Sequence, residues 1–403
     1  MGNKLKVCMV LVALCMMTGS AFADVWDGEA GDGLWSTDLN WDDDTTPNGN
    51  TAQITGSTDN VTIDYAAPSV TELLLDEGTL NVSAGGSLTA GVSGDTSVEL
   101  AVGSSDVMTI NVDGTLTMEG RTRTKNGTLY VNINDGGTWY QNERFREEGD
   151  GTSYWVVNDG GTFDMTGTSD EWEFGDGDGD EFTTNIEVKA GGVWTMGSGS
   201  QFKGGKDGGT LNITLSGGDM DLDHIYTDGD DITFNITIIG NSADLEVDDF
   251  VCDYVGHLYM NGGKMDCDDD FKLGQSGGLG GRGGICDAIL EGGTAGLFDG
   301  AELEVDDGDS IRFGDGLDLR DGAFINVDNK DNTDGYTTLT AAVAAGDLFT
   351  TTSGMIVIVE QLTSDKYGLG MGAGDTIAYV GVPEPMTLAL LGLGGLGLIR
   401  RRR

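Results

Sequence analysis

Residues Asn132 to Tyr140 read NINDGGTWY: a short alternating strand, a turn closing on Gly-Gly, and a second alternating strand. The unit recurs as NVSAGGSLT (Asn81 to Thr89), NVDGTLT (Asn111 to Thr117), VVNDGGTFD (Val156 to Asp164), EVKAGGVWT (Glu187 to Thr195) and NITLSGGDMD (Asn212 to Asp221). Anchored on the last turn glycine, the copies fall at Gly86, Gly114, Gly137, Gly161, Gly192, Gly218, Gly263, Gly293 and Gly322. They lie 23 to 31 residues apart except for one interval of 45, which a strand pair around Ile232 to Val247 fills as two units. Two residues past the glycine stand Leu88, Leu116, Trp139, Phe163, Trp194, Met220, Met265, Ala295 and Phe324, all large and apolar except Ala295.

An apolar position at a fixed offset from a turn is what stacked coils require, because no coil buries its apolar face alone. The turn glycines are expected to supply positive φ at the corners, and Asn-Asp-Gly-Gly at Asn134 and Asn158 is turn chemistry of the same kind. The fold expected is all-β: a right-handed parallel β-helix, with repeated antiparallel β-sandwiches as the alternative. Its repeat body spans 53–336, between an N-terminal cap at 24–52 and a C-terminal cap at 337–381. Trp26, Trp35 and Trp41 in the first cap either seal the first coil or stack on sugar. Thr338 to Ala345 reads as a helix, and Met355 to Leu362 and Asp375 to Val380 as terminal strands.

The two ends carry addresses. Lys4 and Lys6 precede an apolar stretch from Val7 to Met17, and Ala21 and Ala23 give the small-x-small pattern cut by signal peptidase. Residues 1–23 are therefore expected to leave as a signal peptide, with the mature chain starting at Asp24. At the far end, 382–403, Val382, Pro383, Glu384 and Pro385 precede a glycine-spaced apolar run, Met386 to Ile399, and then Arg400, Arg401, Arg402 and Arg403. A helix over that run falls short of a ~30 Å hydrocarbon core, so the arginines snorkel to the cytoplasmic face. This tail resembles the PEP-CTERM sorting signal. The resemblance implies that an exosortase recognises Val382 to Pro385, after transient contact with the inner membrane, and that the protein ends at the cell surface or in an extracellular matrix alongside exopolysaccharide. The opening Val25 to Trp41 resembles that of autotransporter-like β-helix proteins carrying such tails.

The chain has 68 acidic and 21 basic residues. Removing six basic residues and one acid with the two ends leaves 67 against 15, a net charge of −52. That sign excludes nucleic acid as a partner and suits cations or a hydrated matrix. Cys252, Cys267 and Cys286 are too few for a disulfide scaffold and show no metal spacing.

No hydrolase elbow, P-loop or histidine metal motif is present, and His224 and His257 stand apart. No catalytic residue is assigned, and a non-enzymatic role is expected. A carbohydrate-active β-helix enzyme, a polysaccharide lyase or hydrolase, is the alternative on fold analogy. No cofactor is demanded; calcium is the ion that the acidic loops suit. Asp176, Asp178 and Asp180 alternate with glycine, and Glu187 is the twelfth residue from Asp176, as in a calcium loop, but Glu181 holds the position where such a loop turns on glycine. Asp268 to Asp270 and Asp306 to Asp309 are weaker versions. Arg121 and Arg123 follow Gly114 by seven and nine residues, as Arg144 and Arg146 follow Gly137. On neighbouring coils these pairs share a face and either grip an anionic polysaccharide or are neutralised by Glu119, Glu143, Glu147 and Glu148. An adhesion or ice-binding module is a further alternative. Thr-x-Thr pairs at Thr115/Thr117 and Thr122/Thr124 do not read as a recurring ladder.

Overall fold

The computed structural model describes residues 23–94, 96–101, 103–165, 171–174, 181–204, 209–226, 232–252, 255–268, 271–273, 286–291, 301–305, 311–313, 316–320, 322–327, 335–363 and 375–381. It is a parallel β-helix. One coil shows the plan: Thr128–Ile133 lies on a first ladder, Thr138–Gln141 on a second and Phe145–Glu148 on a third, and Thr152–Val157 returns to the first. Thr128–Ile133 and Thr152–Val157 pair in parallel, residue for residue. Among the described residues the first ladder is a sheet of 12 strands. The second and third ladders merge where Asp219–Tyr226 and Asp244–Cys252 run straight through the corner between them.

The repeat unit holds two strands per turn in the sequence, whereas the coils from Gly78–Val82 to Gln201–Gly204 have three; in Asp219–Tyr226 and Asp244–Cys252 the second and third are one strand. The corner before the third strand has no fixed sequence: 142–144 carries no glycine, whereas Gly91 and Gly94 turn with positive φ before Thr96–Leu100 and Gly199 does so before Gln201–Gly204, all outside the Gly-Gly repeat. Parallel pairing throughout the stack overturns the antiparallel sandwich. The long interval holds a coil of its own, from Ile232–Ile239 and Asp244–Cys252.

Strict alternation sends every second side chain inward. Leu116, Trp139, Phe163, Trp194 and Met220 lie in register down one column, all buried, and Leu245, Met265, Leu303 and Ile325 continue it. Two of the expected rungs change. Ala295 lies outside the described residues, and Leu303 pairs with Met265 in its place. Phe324 points away from the column and Ile325 enters it, because the last corner is one residue longer.

The paired turn glycines divide the labour. In Asn134–Gly137 the positive φ belongs to the first glycine, Gly136 at +75°. Gly137 is needed for another reason: a Cβ there would sit 1.9 Å from the carbonyl oxygen of Val112 on the previous coil. The last glycine thus sets how closely coils stack, while its neighbour turns the chain.

Both ends are sealed. Trp26, Trp35 and Trp41 are buried, with Trp41 edge-on to both partners at 5.2 and 4.7 Å. They close the first coil and are not exposed for stacking on sugar. At the other end a helix, Gly335–Ala345, precedes two antiparallel strands, Ile356–Gln361 and Thr376–Gly381. Thr376–Gly381 pairs antiparallel to Phe324–Val327 and so covers the parallel edge.

Candidate functional site

The outward positions of the third ladder carry the arginines. Arg123 and Arg146 are register partners on adjacent strands, and Arg121, Arg123, Arg144 and Arg146 line one shallow cleft with Thr122. Carboxylates from the coils above and below enter it. Arg144 reaches Glu171 at 3.0 Å and Glu173 at 3.2 Å, and Arg146 meets Glu173 at 2.8 Å. Arg123 lies 3.4 Å from Glu148, and Lys125 and Lys203 close the row on Glu99 (3.2 Å) and Glu171 (3.0 Å). Arg121 is exposed and forms no ion pair among the described residues.

The pairing differs from the sequence reading, in which neighbours along the chain neutralise the arginines. Of the four glutamates expected, Glu148 does so. Glu143 instead accepts from Ser93 Oγ at 2.8 Å and the Gly94 N–H at 3.0 Å. The other partners of the arginines come from 24 to 29 residues away, the distance of one coil. Their carboxyls respond accordingly. Burial raises Glu171, but hydrogen bonds with Glu173 and Lys203 and the charges of Arg144 and Lys203 outweigh it and hold Glu171 down at about 2. Glu173 is more buried and is pushed up by desolvation and by its hydrogen bond with Glu171, against both arginines.

Glu147 is the surprise of this region. Alternation turns it inward between Arg146 and Glu148, and it is fully buried. It accepts hydrogen bonds from Ser153 Oγ (2.5 Å), Trp172 Nε1 (3.1 Å) and Thr184 Oγ1. Burial pushes its carboxyl up to about 7 despite those donors. The alternation of FREE at Phe145–Glu148 held the signal for this: Phe145 inward puts Glu147 inward as well.

Further along, the second ladder becomes a column of acids. Asp221, Glu246, Asp266 and Glu304 lie in register on successive coils. Lys264 is the cation among them, 2.7 Å from Asp266 and bonded also to Glu304. Burial and then the Glu304 charge push Glu302 up to about 7, against Lys264. Burial, a hydrogen bond with Asp223 and the charges of Asp223 and Asp268 push Asp248 to about 7. His224 sits 3.0 Å from both Asp223 and Asp249. Cys267 is a buried rung of the core, 3.5 Å from the Asp248 carbonyl oxygen.

Several sequence-predicted sites fall elsewhere. Asp176, Asp178 and Asp180 lie outside the described residues, as do Ala21, the Val382 to Pro385 signature and Arg400 to Arg403. Glu187 stands inside the strand Thr183–Lys189, in register with Val156 and Thr214. Among the described residues no group of three or more His, Cys, Asp or Glu is placed to hold a metal ion, and no helix is long and apolar enough to cross a membrane. Ala23 directly precedes the first strand, Asp24–Val25.

Residues 381–403 match a family model described as the PEP-CTERM protein-sorting motif. No curated protein and no solved structure matches the chain. The motif marks a protein exported and then sorted by the exosortase route, with the exosortase as its processing enzyme.

Proposed function

We propose that this exosortase-sorted chain is a non-enzymatic structural protein of the cell surface or extracellular matrix, held there in association with exopolysaccharide. On this reading residues 1–23 are removed on export, and the tail holds the chain at the inner membrane until processing. The observation that carries the structural role is the use made of the outward side chains. Arginines and glutamates of the third ladder pair from coil to coil, and asparagines of the first ladder bond to one another along the stack. Polar groups engaged in this way stiffen a rod. The acidic body keeps such rods apart and hydrated.

The test is fractionation of cells that make a tagged chain. Replacing Pro383, Glu384 and Pro385 with alanine should leave export intact and accumulate a longer, membrane-bound form. Wild-type protein should sit in the matrix fraction and be released when the polysaccharide is stripped enzymatically. Release of the triple variant like wild type refutes the sorting step. A wild-type matrix fraction unaffected by polysaccharide removal refutes the association. Turnover of a polysaccharide by the purified chain refutes the non-enzymatic role.

A further inference from the structure

The outer surface of the first ladder differs from the rest of the molecule. Three outward columns run along it. In the first, Thr128, Thr152, Thr183, Thr210 and Thr233 lie in register on five successive strands. In the second, Thr109 leads to Tyr130 and Tyr154 and then to Asn185, Asn212 and Asn235. The third begins Asn81, Asn111, Asn132 and later holds Thr214 and Thr237. From Asn60 to Thr237 the charged member of these columns is Glu187. The body carries a net charge of −52, so an uncharged strip of this length cannot be put down to composition.

The threonine ladder is not formed by the Thr-x-Thr pairs of the sequence. Thr122 and Thr124 are buried inside the coil. Thr115 does recur, with Ser87, Thr138 and Thr162 in register, but on the second ladder, where the run gives way to acids. The ladder on the first face is T-x-N and T-x-Y, spread over strands that the 23 to 31 residue spacing separates.

The chemistry of the face selects a ligand class. Rungs repeat every ~4.8 Å, each offering a hydroxyl and an amide or phenol. The five threonine hydroxyls of the first column make no hydrogen bond within the described protein and are open to a ligand. Asn111, Asn132, Asn212 and Asn235 each donate one N–H to the Oδ1 of the asparagine on the coil before, at 2.8 to 2.9 Å, and Asn185 donates to the Ser153 carbonyl oxygen at 3.1 Å. These bonds fix the amide planes and leave the first four a second N–H. In the middle stand Tyr130 and Tyr154, stacked at 5.0 Å and 9°, 40% and 39% exposed. Val107 and Ile239 are also exposed on this face. Polar, uncharged, repeating and centred on exposed rings, the face lacks the apolar interdigitation of two packed sheets. Its cation among the described residues, Lys189, donates to Asn158 Oδ1 at 3.0 Å and stands two residues from Glu187, so the face lacks the row of cations a polyanion requires. The raised tyrosine pair interrupts the flatness that an ice lattice requires.

We propose that this face binds an extended, uncharged polysaccharide, laid along the stack with its sugar rings against Tyr130 and Tyr154 and its hydroxyls on the threonine and asparagine columns. The biological setting rests on the exopolysaccharide association proposed above; the ligand class rests on the face alone.

The experiment is co-sedimentation of the purified full chain with an insoluble neutral β-1,4-glucan, beside soluble polygalacturonate as the acidic probe. Wild type should pellet with the glucan, and high salt should not release it. Tyr130→Ala/Tyr154→Ala should weaken binding roughly tenfold or more with melting temperature unchanged, since both rings point outward. Thr210→Asp/Thr233→Asp, which leaves the rings alone, should weaken it as well by placing carboxylates in the column. Failure of wild type to bind the glucan overturns the proposal, as does equal binding by the tyrosine variant. Binding of polygalacturonate alone, lost in Arg121→Ala, overturns it in favour of the arginine cleft. Self-association or ice-growth inhibition that depends on Tyr130 and Tyr154, without glucan binding, assigns the face to a second copy or to ice. In cells, a tyrosine variant retained in the matrix like wild type rejects the face and leaves the polysaccharide association standing. A wild type that binds glucan in vitro but ignores polysaccharide removal in cells does the reverse.

Discussion

Residues 121–204 and 219–305 occupy the same stack, with the same three ladders and similar coil lengths, yet different forces hold them. The first stretch has an aromatic interior: Trp139, Trp155, Trp172 and Trp194 are buried together, and Phe163 stacks on Trp194 at 3.9 Å. In the second, the same column is filled by Met220, Leu245, Met265 and Leu303. Outside, the first stretch pairs arginine with glutamate between coils, whereas the second stacks acid on acid around Lys264. A solenoid contacts only its neighbours, so each stretch sets its own local stability. The backbone repeat tolerates either solution. The comparison predicts a stack that is stiff in its first half and conditionally stable in its second.

The largest effect should come from the core. Trp194→Asp buries an unpaired charge where a ring stacks on Phe163 and should cost about 5 kcal/mol or more. Met265→Ala in the second stretch should cost about 2–4 kcal/mol. Chemical denaturation of both variants, with hydrogen exchange mapped by region, checks the order. Equal losses would erase the contrast.

The next effect is of pH, and its sign differs from group to group: raised carboxyls dominate 219–305, whereas 121–204 holds both kinds. Asp221, Asp244 and Glu246 are raised chiefly by burial, and Asp248 and Glu302 stand at about 7. A carboxyl raised on folding binds its proton more tightly in the folded state. That stabilisation is complete below the ordinary carboxylate range and is lost as pH rises through about 7. Exchange protection in 219–305, corrected for intrinsic rates, should therefore be greater at pH 5 than at pH 8. Glu171 works the other way: held at about 2, it stabilises above the ordinary range and fails as pH falls toward 2. Glu147, raised to about 7, is an acid-favoured group inside the first stretch. Glu147→Gln should stabilise that stretch by about 2 kcal/mol at pH 8 and change little at pH 5. A melting-temperature profile that keeps its slope in the variant would show that Glu147 is not the group responsible.

The smallest effects lie on the surface. Arg146→Ala should cost about 1 kcal/mol, since half-exposed ion pairs are screened. Added sodium chloride should raise protection in 219–305 by screening like charges and slightly lower it in 121–204. The same response in both stretches would mean that the two surfaces are electrostatically equivalent.

Much of this was legible in one dimension. The offset between turn glycine and apolar residue identified the coil repeat, and the column from Leu116 to Met220 follows it rung by rung. The tryptophan-rich opening and the terminal helix and strands stand out in the sequence because they break the repeat. The third strand was not legible, because the corner before it follows no fixed pattern: 142–144 has no glycine, while Gly199 turns before Gln201–Gly204. Of the partners of Arg144 and Arg146, Glu148 was legible, 3.5 Å from Arg146, and the rest were not. Sequence neighbours suggested Glu143 and Glu147, but alternation sends Glu147 inside and stacking brings in Glu171 and Glu173.

The sequence by itself determined the periodicity, the charge and the sorting motif at 381–403, because each is written in local spacing or composition. Turn chemistry, alternation and the order of a sorting tail are short-range properties of a chain. Only the tertiary structure decided which side chains share a column, because that depends on register between strands 23 to 31 residues apart. A shift of one residue in any coil exchanges inside for outside. The uncharged threonine and asparagine face, the buried Glu147 and the column of acids all arise from that register, which close stacking at positions such as Gly137 holds in place.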